Sequence, residues 1–316
     1  MMKKFYLAAM VAAFAVVGCS EMKENLAGDP GMAKEEKVQL TVRIPQVSTK
    51  VTGSSNDDAI GGIQVFVFNK NGEYETSSFG NGAALSLTCT TGEKQIVALV
   101  NAPQETGVNN ITELRARTSD LADCSEGSIV MAGEITKVLE ASSTVTMAVE
   151  RLAAKVAVSQ VKTDFTLEQH RDLKFDIKAI YLVNAAGQKS YLVDNTPSKW
   201  YNLGSYDAST APAFLYDEVT SGVIENGSSY DTEHYFYCYP NATTTKTRLV
   251  VEAKVGDYLY YYPLTLDSVD PNTAYTYNLT ITRLGSDSPN KPVEEGTVQF
   301  NVTVKEWVEQ NVEEII

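Results

Sequence analysis

The chain has little of what enzymes and nucleic-acid binders depend on. It holds two histidines, His170 and His234, far apart in sequence, a thin supply for base catalysis. It has no GxSxG elbow, no HExxH and no Walker loop, so the usual carriers of a nucleophile, a zinc pair and a phosphate cradle are missing. Gly80-Asn81-Gly82 lacks the third glycine and the following helix of a dinucleotide site. Basic residues number 26 against 40 acidic ones, for a formal charge of −14. No Lys/Arg stripe is present to neutralise phosphates, which argues against a nucleic-acid partner. No pair among the four cysteines has CxxC spacing, and a structural zinc needs four close ligands. No metal, cofactor or catalytic residue is therefore expected. Asp57/Asp58 and Glu294/Glu295 lie in loop-like stretches and read as solvated charge. Calcium at Asn56-Asp57-Asp58 lacks the spacing of a dedicated loop.

Long hydrophobic runs are also scarce. The longest, Phe5 to Val17, follows Lys3 and Lys4 and has 13 residues, short of the about 20 that span a bilayer. That length suits a signal-peptide core. Val16-Val17-Gly18-Cys19 reads as a bacterial lipobox, with cleavage between Gly18 and Cys19 and lipid, including palmitate, on Cys19. An ordinary secretory signal with an incidental cysteine is the competing reading. The lipobox places the precursor at the outer membrane through Cys19. Three cysteines then remain, Cys89, Cys124 and Cys238, so at least one is unpaired or pairs between chains. Cys238, inside an aromatic strand, reads as a small buried apolar residue.

What is abundant is strand signal. Residues 19–37 are polar and carry Gly28, Asp29, Pro30 and Gly31, which suits a flexible tether. From Val38 to Ile44 apolar and polar residues alternate as in a half-buried strand. Further strands are predicted at 63–68, 95–100, 143–149, 153–158, 175–183, 234–239, 248–255, 258–266, 275–284 and 298–307, and a helix at 111–121. Many short strands with frequent turns point to β-sandwiches rather than βαβ units. The chain past the signal has about 300 residues, enough for two domains at about 150 each. The expected organisation is signal peptide 1–18, tether 19–37, N-terminal sandwich 38–151 and C-terminal sandwich 152–316.

Fifteen of the 17 tyrosines fall between Tyr181 and Tyr277. A carbohydrate-binding face is one reading. The other is β-propensity, with rings packed and hydroxyls kept wet. Tyr258-Leu259-Tyr260-Tyr261-Tyr262 puts rings on both faces of one strand, which favours the second. Asn-x-Ser/Thr triplets at Asn241 and Asn278 carry no default meaning in a bacterial lipoprotein, and Asp267-Ser268-Val269 is a weak O-glycosylation signal.

Several segments, in order, resemble the Bacteroidetes fimbrillin family, the subunits of type V pili. They are the lipobox at Cys19, the strand at 38–45, Ile63-Gln-Val-Phe-Val-Phe-Asn69 and Ala98-Leu-Val-Asn-Ala-Pro103. Then follow Glu150-Arg-Leu-Ala-Ala-Lys-Val156, Tyr237-Cys-Tyr-Pro-Asn241, and Asn272 to Arg283 with the strand ending at Trp307. The resemblance implies an all-β fold of two tandem Greek-key, transthyretin-like sandwiches with few short helices. It implies a non-enzymatic stalk subunit that polymerises by strand exchange and supports adhesion. A trypsin-like protease would cut after the first strand, and related copies would supply the replacement strand.

On that reading the removable strand is 38–50, with Val38, Leu40, Val42 and Ile44 filling a groove. The donor is about 297–316, with Val298, Phe300, Val302, Val304 and Trp307 in the same alternation. The family's cut follows an arginine. Here the polar loop offers Lys50, with Val51 as the new N-terminus, and Arg43 is the second candidate. The implied partners are other pilins, the maturation protease, the outer membrane, and host or bacterial surface ligands. A lipid-anchored anchor or accessory subunit and a monomeric glycan-binding surface lipoprotein are the alternatives.

Overall fold

A computed structural model describes residues 35–45, 57–204, 206, 210–267, 269–293 and 298–306. The N-terminal strands are β1 (Lys37–Arg43), β2 (Gly62–Asn69), β3 (Tyr74–Asn81), β4 (Ala84–Thr90) and β5 (Gly92–Val100). A helix α1 (Ile111–Arg115) leads to β6 (Thr118–Asp120), β7 (Met131–Leu139), β8 (Ser143–Thr146) and β9 (Glu150–Arg151). All of these strands but β6 build two sheets, ordered β4-β1-β8 and β3-β2-β5-β7-β9. Between them lies a core that includes Leu40, Val42, Ile44, Val65, Val67, Ile96, Ala98, Val145 and Met147.

The second half continues with β10 (Ala154–Thr163), β11 (Phe175–Val183), β12 (Ala185–Ala186), β13 (Gln188–Ser190) and β14 (Trp200–Tyr201). Then come β15 (Tyr216–Ile224), β16 (Ser229–Tyr230), β17 (His234–Cys238), β18 (Arg248–Val255) and β19 (Tyr258–Thr265). The last two are β20 (Thr273–Ile281) and β21 (Val298–Glu306). One sheet runs β16-β10-β20-β21, with β17 also on β10, and the other runs β15-β11-β18-β19. The fold is all-β, as expected. The described residues cluster as one compact unit.

Phe66, Phe68, Val97 and Leu99 face away from the first core and join the cluster that continues into Val156, Phe175 and Val251. Strands β2 and β5 are therefore buried on both faces, which is why Ile63 to Phe68 and Ile96 to Val100 read as nearly unbroken apolar runs. Gly133 of β7 is required by close approach: a Cβ there would lie 2.2 Å from the Ala148 carbonyl oxygen, on the segment that carries the chain from β8 to β9.

The helix predicted over 111–121 is one short turn, Ile111–Arg115. Asn110 caps it by accepting from the Glu113 N–H at 2.9 Å. Beyond it, Thr118–Asp120 pairs with β13, so tertiary strand pairing takes the backbone groups that a longer helix would have used. Besides the two- and three-residue strands, four strands escaped the sequence pattern: β3, β4, β7 and β15. Each has many polar, exposed or half-exposed positions, and this weakens the apolar alternation.

Candidate functional site

Strand β1 is the middle strand of its sheet. It pairs antiparallel with β4 from Lys37↔Thr90 to Arg43↔Ala84. On its other side it pairs parallel with β8 from Leu40↔Ser143 to Arg43↔Thr146. Val38, Leu40, Val42 and Ile44 all point inward and are buried, Leu40 and Val42 at 0% exposure. Fully burying such a side chain contributes about 1.5–3 kcal/mol, or about 6–12 kcal/mol for the four. That is comparable to the about 5–15 kcal/mol that holds a whole domain folded. A groove left empty of β1 is thus a costly state, and it needs another strand in its place.

Both ends of β1 are fastened. The Ile44 N–H donates to the Ala83 carbonyl at 2.8 Å and the Thr91 N–H to the Glu36 carbonyl at 2.8 Å. Arg43 ends the strand with its side chain in solvent. Under the other end, buried Lys94 pairs with Glu75 at 2.6 Å and donates to Thr90 Oγ1 at 2.7 Å. Cys89 sits opposite Val38 on the groove side. Burial pushes its thiol pKa up, with Glu75 adding to the rise and Lys94 opposing it.

Strand β21 has the same alternation and the opposite environment. It lies at the sheet edge, paired antiparallel with β20 from Thr273↔Glu306 to Ile281↔Val298. Val298 is half-buried and packs on the core. Phe300, Val302 and Val304 are 47%, 41% and 55% exposed. A strand that shows three large apolar side chains and has one neighbour among the described residues is a ready template for pairing with another chain. Gly18, Cys19, Lys50, Val51 and Trp307 lie outside the described residues.

Asp57 and Asp58 are not solvated loop charge, and that expectation is corrected here. Asp57 is 3% exposed and Arg151 likewise 3%. Lys155 Nζ meets Asp57 Oδ2 at 3.1 Å, and Tyr237 donates its hydroxyl to Asp57 Oδ1. The Arg151 guanidinium pairs with Asp58, and donates to the Asp57 carbonyl at 3.3 Å and to Asn272 Oδ1 at 2.8 Å. Burying charges is tolerable only when they are paired and hydrogen-bonded, and here two carboxylates meet two cations. Glu150 to Val156, Tyr237 to Asn241 and Asn272 to Arg283 are separate segments of the sequence. The fold brings Arg151, Lys155 and Tyr237 to these two aspartates and Asn272 to Arg151.

Most tyrosines are packed rather than displayed. Tyr181, Tyr239 and Tyr262 are fully buried, and burial is the first cause of their raised hydroxyl pKa values. Tyr74 and Tyr258 are the exposed ones among the described residues. Cys89, Cys124 and Cys238 are all free and buried. Among the described residues no group of three or more His, Cys, Asp or Glu could hold a metal.

Residues 38–169 match the family model of the major fimbrial subunit protein (FimA). Among solved structures, a Bacteroides eggerthii protein named for cell adhesion is similar at 20% identity and TM-score 0.68, covering 87% of this chain and 97% of that one. A fimbrilin from Porphyromonas gingivalis W83 is similar at 16% identity and TM-score 0.65, with 87% and 98% covered. The tip fimbrial protein Mfa3 from Porphyromonas gingivalis, with a C-terminal truncation, is similar at 13% and TM-score 0.51, with 86% and 100% covered. At these identities the structural likeness is one of fold. No curated protein matches the chain. The resemblance to the fimbrillins read from the sequence is borne out, and the family match lies on the half that contains β1 and its groove.

Proposed function

We propose that this chain, which carries the fimbrillin signature over residues 38–169, is a structural pilus subunit that polymerises by strand exchange at the cell surface. One observation carries the reading. The apolar alternation that is buried in the centre of one sheet in β1 recurs in β21 at the edge of another, where Phe300, Val302 and Val304 are exposed and Val298 is half-buried. A protease cuts the chain between β1 and β2 at Lys50, β1 leaves, and the 298–316 segment of a second copy takes its place between β4 and β8. Main-chain ladder bonds supply affinity, and alternate side chains set the register. Until the cut, β1 keeps the groove from pairing with the wrong strand. Lipid on Cys19 holds the precursor at the outer membrane meanwhile.

Limited trypsin digestion of the protein lacking residues 1–19, followed by N-terminal sequencing and unheated gel electrophoresis, tests this. The expected result is a new N-terminus at Val51 together with a ladder of stable multimers. A protein that is cut there, loses β1 and stays monomeric would overturn the strand-exchange reading.

A further inference from the structure

The Asp57 cluster lies where the two halves of the fold meet. Arg151 belongs to β9, an edge of the sheet that faces β1. Lys155 is on β10 and Tyr237 on β17, which pairs with β10. Asn272 immediately precedes β20, which carries β21 along its whole length. Asp57 and Asp58 sit just ahead of β2, a central strand of the N-terminal sandwich. The turn at Asn272 is itself fixed: its backbone takes a left-handed φ of 53°, and its N–H donates to the Ala153 carbonyl at 3.0 Å.

The apolar cluster also crosses this junction, but apolar burial is non-directional and lets packed layers slide. Charge-assisted hydrogen bonds have set lengths and angles. They hold two layers in one register, and losing one partner leaves a buried charge behind. In a strand-exchanged polymer, tension enters a subunit at the β4–β8 groove and leaves through β21. It must cross this junction in every subunit.

We propose that the cluster of Asp57, Asp58, Arg151, Lys155, Tyr237 and Asn272 is a polar clasp. It makes the strand-accepting sandwich and the strand-donating sheet unfold and bear tension as one unit. The proposal rests on the pilus-subunit reading for its purpose, but its test uses the uncut monomer and no assembly.

Equilibrium denaturant unfolding of the full chain past Cys19 is followed with two probes. Thiol exposure of Cys89 reports the N-terminal sandwich, and circular dichroism together with hydrogen exchange of β18 reports the C-terminal one. For the native sequence the two transitions should coincide. Asn272→Gly keeps the left-handed turn and deletes the carboxamide that Arg151 bonds, and Asp57→Asn keeps the shape and removes the charge. Each should separate the transitions, raising the half-unfolded population by about tenfold or more. Under force applied through the two chain ends, one rupture should become two, the first at lower force. Should Asp57→Asn fail to fold, Asn272→Gly, which leaves both ion pairs in place, decides alone. Coincident transitions at unchanged midpoints in Asn272→Gly, or separate transitions in the native chain, overturn the clasp. Neither result touches the trypsin ladder by which the pilus reading stands or falls.

Discussion

Strands β1 and β21 present the same sequence pattern to different surroundings. In β1, Val38, Leu40, Val42 and Ile44 are sealed between two sheets, with a hydrogen-bonded neighbour on each side. In β21, Phe300, Val302 and Val304 are exposed on a strand with one neighbour among the described residues. Alternation is thus necessary for a groove-filling strand but does not say whether the strand is already in its groove. On the proposed reading, the subunit holds a satisfied acceptor and an unsatisfied donor together.

The contrast can be broken or sharpened by experiment. The largest effect is expected from deleting residues 298–316, which should abolish the multimer ladder after trypsin while leaving β1 in place before the cut. Leu40→Ala comes next. It removes a fully buried side chain and should cost the uncut monomer about 2–5 kcal/mol in denaturant unfolding. Val302→Ala, in the exposed alternation of β21, should change monomer stability by about 0.5 kcal/mol or less and yet weaken the ladder. Equal losses at the two positions would contradict the assignment of acceptor and donor.

Cys89 gives an optical route to the same question. Its thiol is buried opposite Val38, so maleimide labelling of the uncut chain should be slow. Release of β1 should speed it by about tenfold or more, and a donor strand should slow it again. Cys238, which burial pushes up to about 12, stays protonated and serves as the silent control.

The smallest effect is expected far from both strands. Burial raises the pKa of Glu252, partly opposed by a hydrogen bond from Tyr181. The native state therefore holds this proton more tightly than the unfolded chain, and stability falls as pH rises from the ordinary carboxylate value through the raised one. Glu252→Gln should flatten that stretch of the stability–pH curve and leave assembly unchanged.

Much of this was legible in the residues. Strands 175–183 and 248–255 read from the sequence at their observed bounds, because apolar residues dominate both and the charged ones fall on alternate positions. Strand β4, one wall of the groove, did not. Its residues alternate between exposed, half-exposed and buried, and its glycine-rich approach reads as a turn. The charged cluster was hidden for a different reason. Acidic neighbours in a loop look solvated until residues almost a hundred positions away, Arg151 and Lys155, are folded against them.

The sequence by itself determined the all-β class, the two matching apolar alternations, the lack of the common catalytic motifs and the resemblance to the fimbrillins. These depend on residue type and short-range period. Tertiary structure decided which alternation is buried at the centre of a sheet and which is exposed at an edge. It also decided that Asp57 is a buried partner rather than a surface charge. Both outcomes depend on which distant strands become neighbours, and non-local pairing leaves no mark on local spacing.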